Sequence, residues 1–172
     1  MNIYRNSCGE CCCPRICYIS CPVAPNPQAA RSYASFLVTG TAVASGTSLT
    51  FTPQINRGGT LITGGSTATL TLAAGHIYQV NYTVTGTASA AGLVQITPYL
   101  NGAAATYGQS SEVVQAAPNN QFTLAGSFLT DATNAPVTLA LRYTGTGTAT
   151  ATFTGNVIVR EIDAPAATAT VY

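Results

Sequence analysis

No lysine and no tryptophan occur anywhere in the 172 residues. Charged side chains make up 6% of the chain, against about 25% in an ordinary soluble domain. The six arginines, Arg5, Arg15, Arg31, Arg57, Arg142 and Arg160, are scattered along the chain. That scatter excludes nucleic acid as an expected partner, because phosphate binding rests on clustered cations. No run of about 20 apolar residues exists, so no membrane-spanning helix is expected. The first residues are polar and interrupted by cysteines, unlike the apolar core of a classical secretory signal. Low charge leaves little self-repulsion, which suits a protein that packs against copies of itself.

Catalytic signatures are equally scarce. His76 is the single histidine and follows Gly75; it reads as a solvated turn residue at a strand entrance. The acids are Glu10, Glu112, Asp131, Glu161 and Asp163. They form no local pair of hydrolase character, and Glu161 and Asp163 read as solvated residues at a strand end. No serine or cysteine beyond residue 28 has a recognisable base partner or nucleophile elbow. The alternating aspartates of a calcium loop are missing, and the glycine pairs at 58–59 and 64–65 have no phosphate-loop lysine. The chain is therefore expected to be no enzyme and to need no cofactor.

What the chain does have is sulfur, all in one place. The six cysteines Cys8, Cys11, Cys12, Cys13, Cys17 and Cys21 lie within residues 1–28, and none follows. Pro14, Pro22, Pro25 and Pro27 share that stretch and argue for an extended or polyproline course over a helix. Three adjacent cysteines pair poorly with one another, because disulfide geometry is strict; partners outside the segment, or between two such segments, are the natural reading. Six cysteines allow 15 internal pairings, and intermolecular ones stay open. A metal site is the plain alternative, but zinc usually takes two separated ligand pairs; free or lipidated thiols are the third. About 25 extended residues reach up to ~80 Å at ~3.3 Å each, enough to touch a neighbouring subunit. Cysteine density points to an oxidising endpoint, consistent with synthesis in a reducing compartment and oxidation after assembly or lysis.

Residues 29–162 read as a body of short strands. From His76, the run HIYQVNYTVT places Tyr78, Val80, Tyr82 and Val84 on one side and Gln79, Asn81, Thr83 and Thr85 on the other, a period of two. The same alternation runs through Val94 to Leu100, Phe122 to Phe128, Val137 to Tyr143 and Phe153 to Val159, with earlier candidates at 35–39, 48–51 and 68–72. Asn101-Gly102 supplies a tight hairpin turn. About eight strands with such punctuation imply a sandwich or barrel. Residues 163–172, DAPAATATVY, form a tail that either adds an edge strand to a partner sheet or frays.

The order ARSYASFLVTG, GGSTATLTLAAGHIYQVNYTV, VQITPYLNG, FTLAGSFLTDA, APVTLALRYTGTG and ATFTGNVIVREI resembles the tumour-necrosis-factor-like jelly roll of bacterial spore-surface proteins of the collagen-like exosporium type. The resemblance implies an all-β jelly-roll sandwich of about ten short antiparallel strands, and a homotrimer about a threefold axis. No collagen repeat precedes the body; the cysteine-rich leader instead resembles the connectors of endospore appendage subunits, which dock on a neighbour and are locked by disulfides. The body carries no receiving cysteine, so such a lock would join arm to arm or arm to another protein. The expected function is then a structural subunit of a fibre on the spore or cell surface. Its partners would be its own copies, with an anchor protein in the coat or exosporium and a tip protein. The runner-up is a trimeric adhesin or lectin-like module whose contacts lie on loops such as residues 107–120.

Overall fold

A computed structural model describes residues 32–65, 67–146 and 149–163. The chain divides into two units, Met1–Ala30 and Arg31–Tyr172, and the described residues belong to the second. The expectations placed on the six cysteines and on the tail after residue 163 lie outside the described residues.

Eleven strands make up the described part: β1 (Tyr33–Ala44), β2 (Thr50–Asn56), β3 (Ile62–Thr63), β4 (Leu70–Leu72), β5 (His76–Ala88), β6 (Gly92–Leu100), β7 (Ala103–Ala104), β8 (Ser110–Val114), β9 (Gln121–Ala132), β10 (Val137–Gly145) and β11 (Thr150–Asp163). One 3-10 turn, Thr106–Gly108, lies between β7 and β8. Threonine, valine and aromatic side chains fit a pleated, half-buried surface, and they fill these segments. The strands form two antiparallel sheets. One has the order β2-β1-β11-β5-β9; the other runs β3-β4-β10-β6-β7, with β8 also paired to β6.

The expected alternation is what builds the core. Tyr78, Val80, Tyr82 and Val84 of β5 are all buried, as are Val137, Leu139, Leu141 and Tyr143 of β10 and Phe153, Val157 and Val159 of β11. Phe153 joins the layers: its ring lies 5.2 Å from that of Phe122 in its own sheet and 5.1 Å from that of Tyr143 in the facing one. Buried phenols must also satisfy a hydroxyl. Tyr82 Oη donates to the Gly108 carbonyl at 2.8 Å, Tyr78 Oη contacts the Leu61 and Ala73 carbonyls at 3.2 and 3.1 Å, and Tyr143 Oη reaches the Ala149 carbonyl at 3.3 Å. Gly86, opposite Phe153, leaves the space such packing needs; a Cβ there would overlap the Thr152 carbonyl and the Phe122 ring.

Asn101 and Gly102 have φ of 49° and 80°, the left-handed pair that a two-residue hairpin demands, and they join β6 to β7 as expected. Pro53 lies in β2 opposite Phe36, on an edge strand, where proline's missing N–H is tolerated. The strands number eleven, in line with the about ten expected, and four of them are long, with 12 residues in β1, 13 in β5, 12 in β9 and 14 in β11. One expectation needs correction. Residues 107–120 are no simple loop: they hold the end of the 3-10 turn and all of β8. The reason is cross-strand pairing, since β8 matches Ser110 to Val114 against β6 with no side-chain alternation to announce it.

Candidate association surface

The five-stranded sheet turns Tyr33, Ser35, Leu37 and Thr39 of β1 outward. In register they form rows: Leu37, Asn156, Thr83 and Ala125 in one; Ser35, Ile158, Asn81 and Ser127 in the next. These two rows carry no charge. The exposed large apolar residues cluster around them, with Tyr33 42% and Leu37 36% exposed on β1, Ile55 51% on β2 and Leu129 55% on β9. Few charges guard this face, with Arg160 in β11 and Asp131 in β9. A second apolar group marks the far edge of the sandwich. Tyr107 is 67% and Val113 69% exposed; the Tyr107 ring packs edge-on to Phe128 at 6.0 Å. This second group lies on the 3-10 turn and on β8, which pairs with β6 of the other sheet.

The edge at β9 is partly closed by a charge. Glu112 of β8 accepts the Thr123 backbone N–H through Oε2 at 3.1 Å. Thr85, Gly86, Thr87, Gln121 and Phe122 complete a hollow of about 730 Å³ around it.

The acids and histidine do not sit where the sequence suggests. Glu161 is 7% exposed, so it is buried and not solvated. His76 is half-buried rather than a free turn residue, and its Nδ1 lies 2.8 Å from Glu161 Oε1. A carboxylate only accepts, so Nδ1 carries the proton of this bond. The other oxygen, Oε2, accepts the Ser32 backbone N–H at 3.0 Å, and the Glu161 N–H donates to the Ser32 carbonyl at 2.8 Å. The correction has a topological cause: β11 runs between β1 and β5, so residues 129 and 85 positions away become neighbours. Nothing in local spacing signals that. Tyr78 stands beside the pair, its ring 6.0 Å from that of His76; burial, then the Glu161 charge, raises its hydroxyl above the ordinary phenol value. Burial alone pushes Tyr82 up to about 12 and also raises Tyr143. A hollow of about 430 Å³ opens here, lined by Ser32, Tyr33, Gln79, Arg160, Glu161 and Ile162.

Among the described residues no group of three or more His, Cys, Asp and Glu is placed to hold a metal ion. No described helix is long and apolar enough to cross a membrane.

The architecture is that of a TNF-like jelly-roll sandwich. Eiger TNF from S. frugiperda is similar with a TM-score of 0.56 at 11% identity, over 83% of this chain and 99% of that one. The globular domain of zebrafish complement 1qA is similar with a TM-score of 0.57 at 8% identity, over 78% and 99%. Murine APRIL is similar with a TM-score of 0.55 at 11% identity, over 74% and 98%. At such identities the likeness concerns the fold. No protein-family model and no curated protein matches the sequence.

Proposed function

We propose that this chain is a structural subunit of a self-assembling fibre on a spore or cell surface. Its jelly-roll bodies associate as trimers, and segments 1–28 couple one assembly to the next through disulfides of Cys8, Cys11, Cys12, Cys13, Cys17 and Cys21. The observation that supports association is a pair of different apolar surfaces. One is the outer face of the five-stranded sheet around Tyr33, Leu37, Ile55 and Leu129; the other is Tyr107 on the 3-10 turn with Val113 on β8. A contact between two different patches is heterologous, and a heterologous contact closes into a ring when the rotation allows. Bringing a large aliphatic or aromatic side chain fully out of water contributes roughly 1.5–3 kcal/mol, and these residues stand about half exposed. An anchor protein and a tip protein complete the assembly in this reading.

Negative-stain microscopy of the purified chain, with and without reductant, tests the proposal. Fibres that fall to discrete rings on reduction are the expected result. Isolated monomers under both conditions would end it. Boiling the native assembly in detergent without reductant should release no monomer if the coupling is covalent.

A further inference from the structure

Both ends of the described body meet at one hydrogen-bonded pair, His76 and Glu161. β1 starts at Tyr33 and β11 ends at Asp163, and the two strands run antiparallel with Tyr33 opposite Arg160. Chain connectivity therefore starts residues 1–31 from the same end of the sheet at which β11 finishes. At that end Glu161 spends both carboxylate oxygens on cross-strand bonds, one to the Ser32 N–H and one to His76. Its own N–H closes a ring with the Ser32 carbonyl. Three strands, β1, β11 and β5, are thereby tied across a single side chain.

A buried carboxylate is costly to desolvate and is a poor way to gain plain stability. In a chain with five acidic residues, its location needs a reason. Tension applied at residue 31 acts along the end of β1. An antiparallel ladder pulled from one end loads its hydrogen bonds one after another, starting at Ser32, so the strand peels. Charge-assisted bonds are roughly twice as strong as neutral ones, and here they sit at the first bond to be loaded.

We propose that Glu161 and His76 form a clamp that fixes the root of the N-terminal segment. It passes tension arriving at Ser32 to β11 and β5, in the middle of the sheet, and so keeps β1 from peeling. Glu161 is the positioning residue, and His76 holds its carboxylate in place. The clamp deepens the fibre reading, because it matters only if residues 1–28 carry load between subunits.

The test is constant-force unfolding of the full chain in reductant, with one handle at residue 1 and the other in the Asn101–Gly102 turn. Glu161→Ala should open roughly tenfold faster than the parent, the loss expected for a charge-assisted bond. Glu161→Gln, whose amide can keep both hydrogen bonds but loses the charge, should open at a rate between those of the parent and Glu161→Ala. With handles in the turns at Gly46 and Gly102, load bypasses Ser32, and Glu161→Ala should match the parent. Equal rates for Glu161→Ala and parent under N-terminal load would overturn the clamp, as would an equal acceleration in both geometries. If Glu161→Ala does not fold, His76→Ala takes its place: a several-fold acceleration under N-terminal load is expected, and the parent rate overturns the proposal. Absence of fibres from the parent chain would remove the coupling reading and leave the force result standing.

Discussion

The two sheets share a core and differ in almost everything else. The five-stranded sheet has four strands of 12–14 residues and an outer face of neutral polar groups with Tyr33, Leu37, Ile55 and Leu129 exposed. The six-stranded sheet includes strands of two and three residues. Its outer face carries Arg142, whose guanidinium lies 4.1 Å from the Tyr99 ring centroid, beside Gln95 bonded to the Thr97 hydroxyl at 3.0 Å. One outer face is thus a platform with two uncharged rows, and the other combines these polar contacts with the exposed Val113 of β8.

Substitutions can break the comparison or sharpen it. The largest effect should come from the layer both sheets share. Phe153→Ala removes the ring between Phe122 and Tyr143 and should cost about 3–5 kcal/mol in denaturant unfolding. A cost under about 1 kcal/mol would mean the sheets are not locked there. Next comes the platform itself. Leu129→Arg should weaken self-association at least roughly tenfold in sedimentation, with folding stability changed by no more than about 0.5 kcal/mol. Thr144→Arg, exposed on β10, should leave association unchanged. If the two variants behave alike, the sheets are not functionally distinct.

A smaller effect concerns the buried phenols. Tyr82→Phe loses the bond to Gly108 and should cost about 1 kcal/mol. Folding raises the Tyr82 hydroxyl from 10.0 to about 12, so between those values the unfolded chain releases a proton that the folded one keeps. Stability contributed this way is complete below pH 10 and falls as pH rises toward 12. The alkaline slope of thermal unfolding should be shallower in Tyr82→Phe than in the parent. Smallest of all, Arg142→Gln should cost roughly 0.5–1 kcal/mol, the scale of a cation–aromatic contact near the surface, with association intact.

Much of this fold was legible in the order of residues. Tyr78 to Val84 and Val137 to Tyr143 alternate cleanly because one side of each strand is buried. Strands β3 and β7 escape such reading because two residues cannot display a period. β8 escapes it because, of its five residues, Val114 is buried while Ser111, Glu112 and Val113 stay exposed. The candidate surface was hardly visible: Leu37 fell within the expected strand at 35–39 and Ile55 in none, until register placed both on one outward face. The Glu161–His76 pair was invisible, since β11 must first insert between β1 and β5 for it to exist.

Pro53 shapes one margin of the fold. Strand β2 ends the long sheet and, among the described residues, is covered by Thr67 only at Phe51; the rest is the kind of border that invites runaway stacking into amyloid. A residue unable to donate a backbone hydrogen bond makes that border a faulty template for any incoming strand. A strand-rich body that associates with copies of itself, as proposed above, is thereby spared from zipping indiscriminately along this margin.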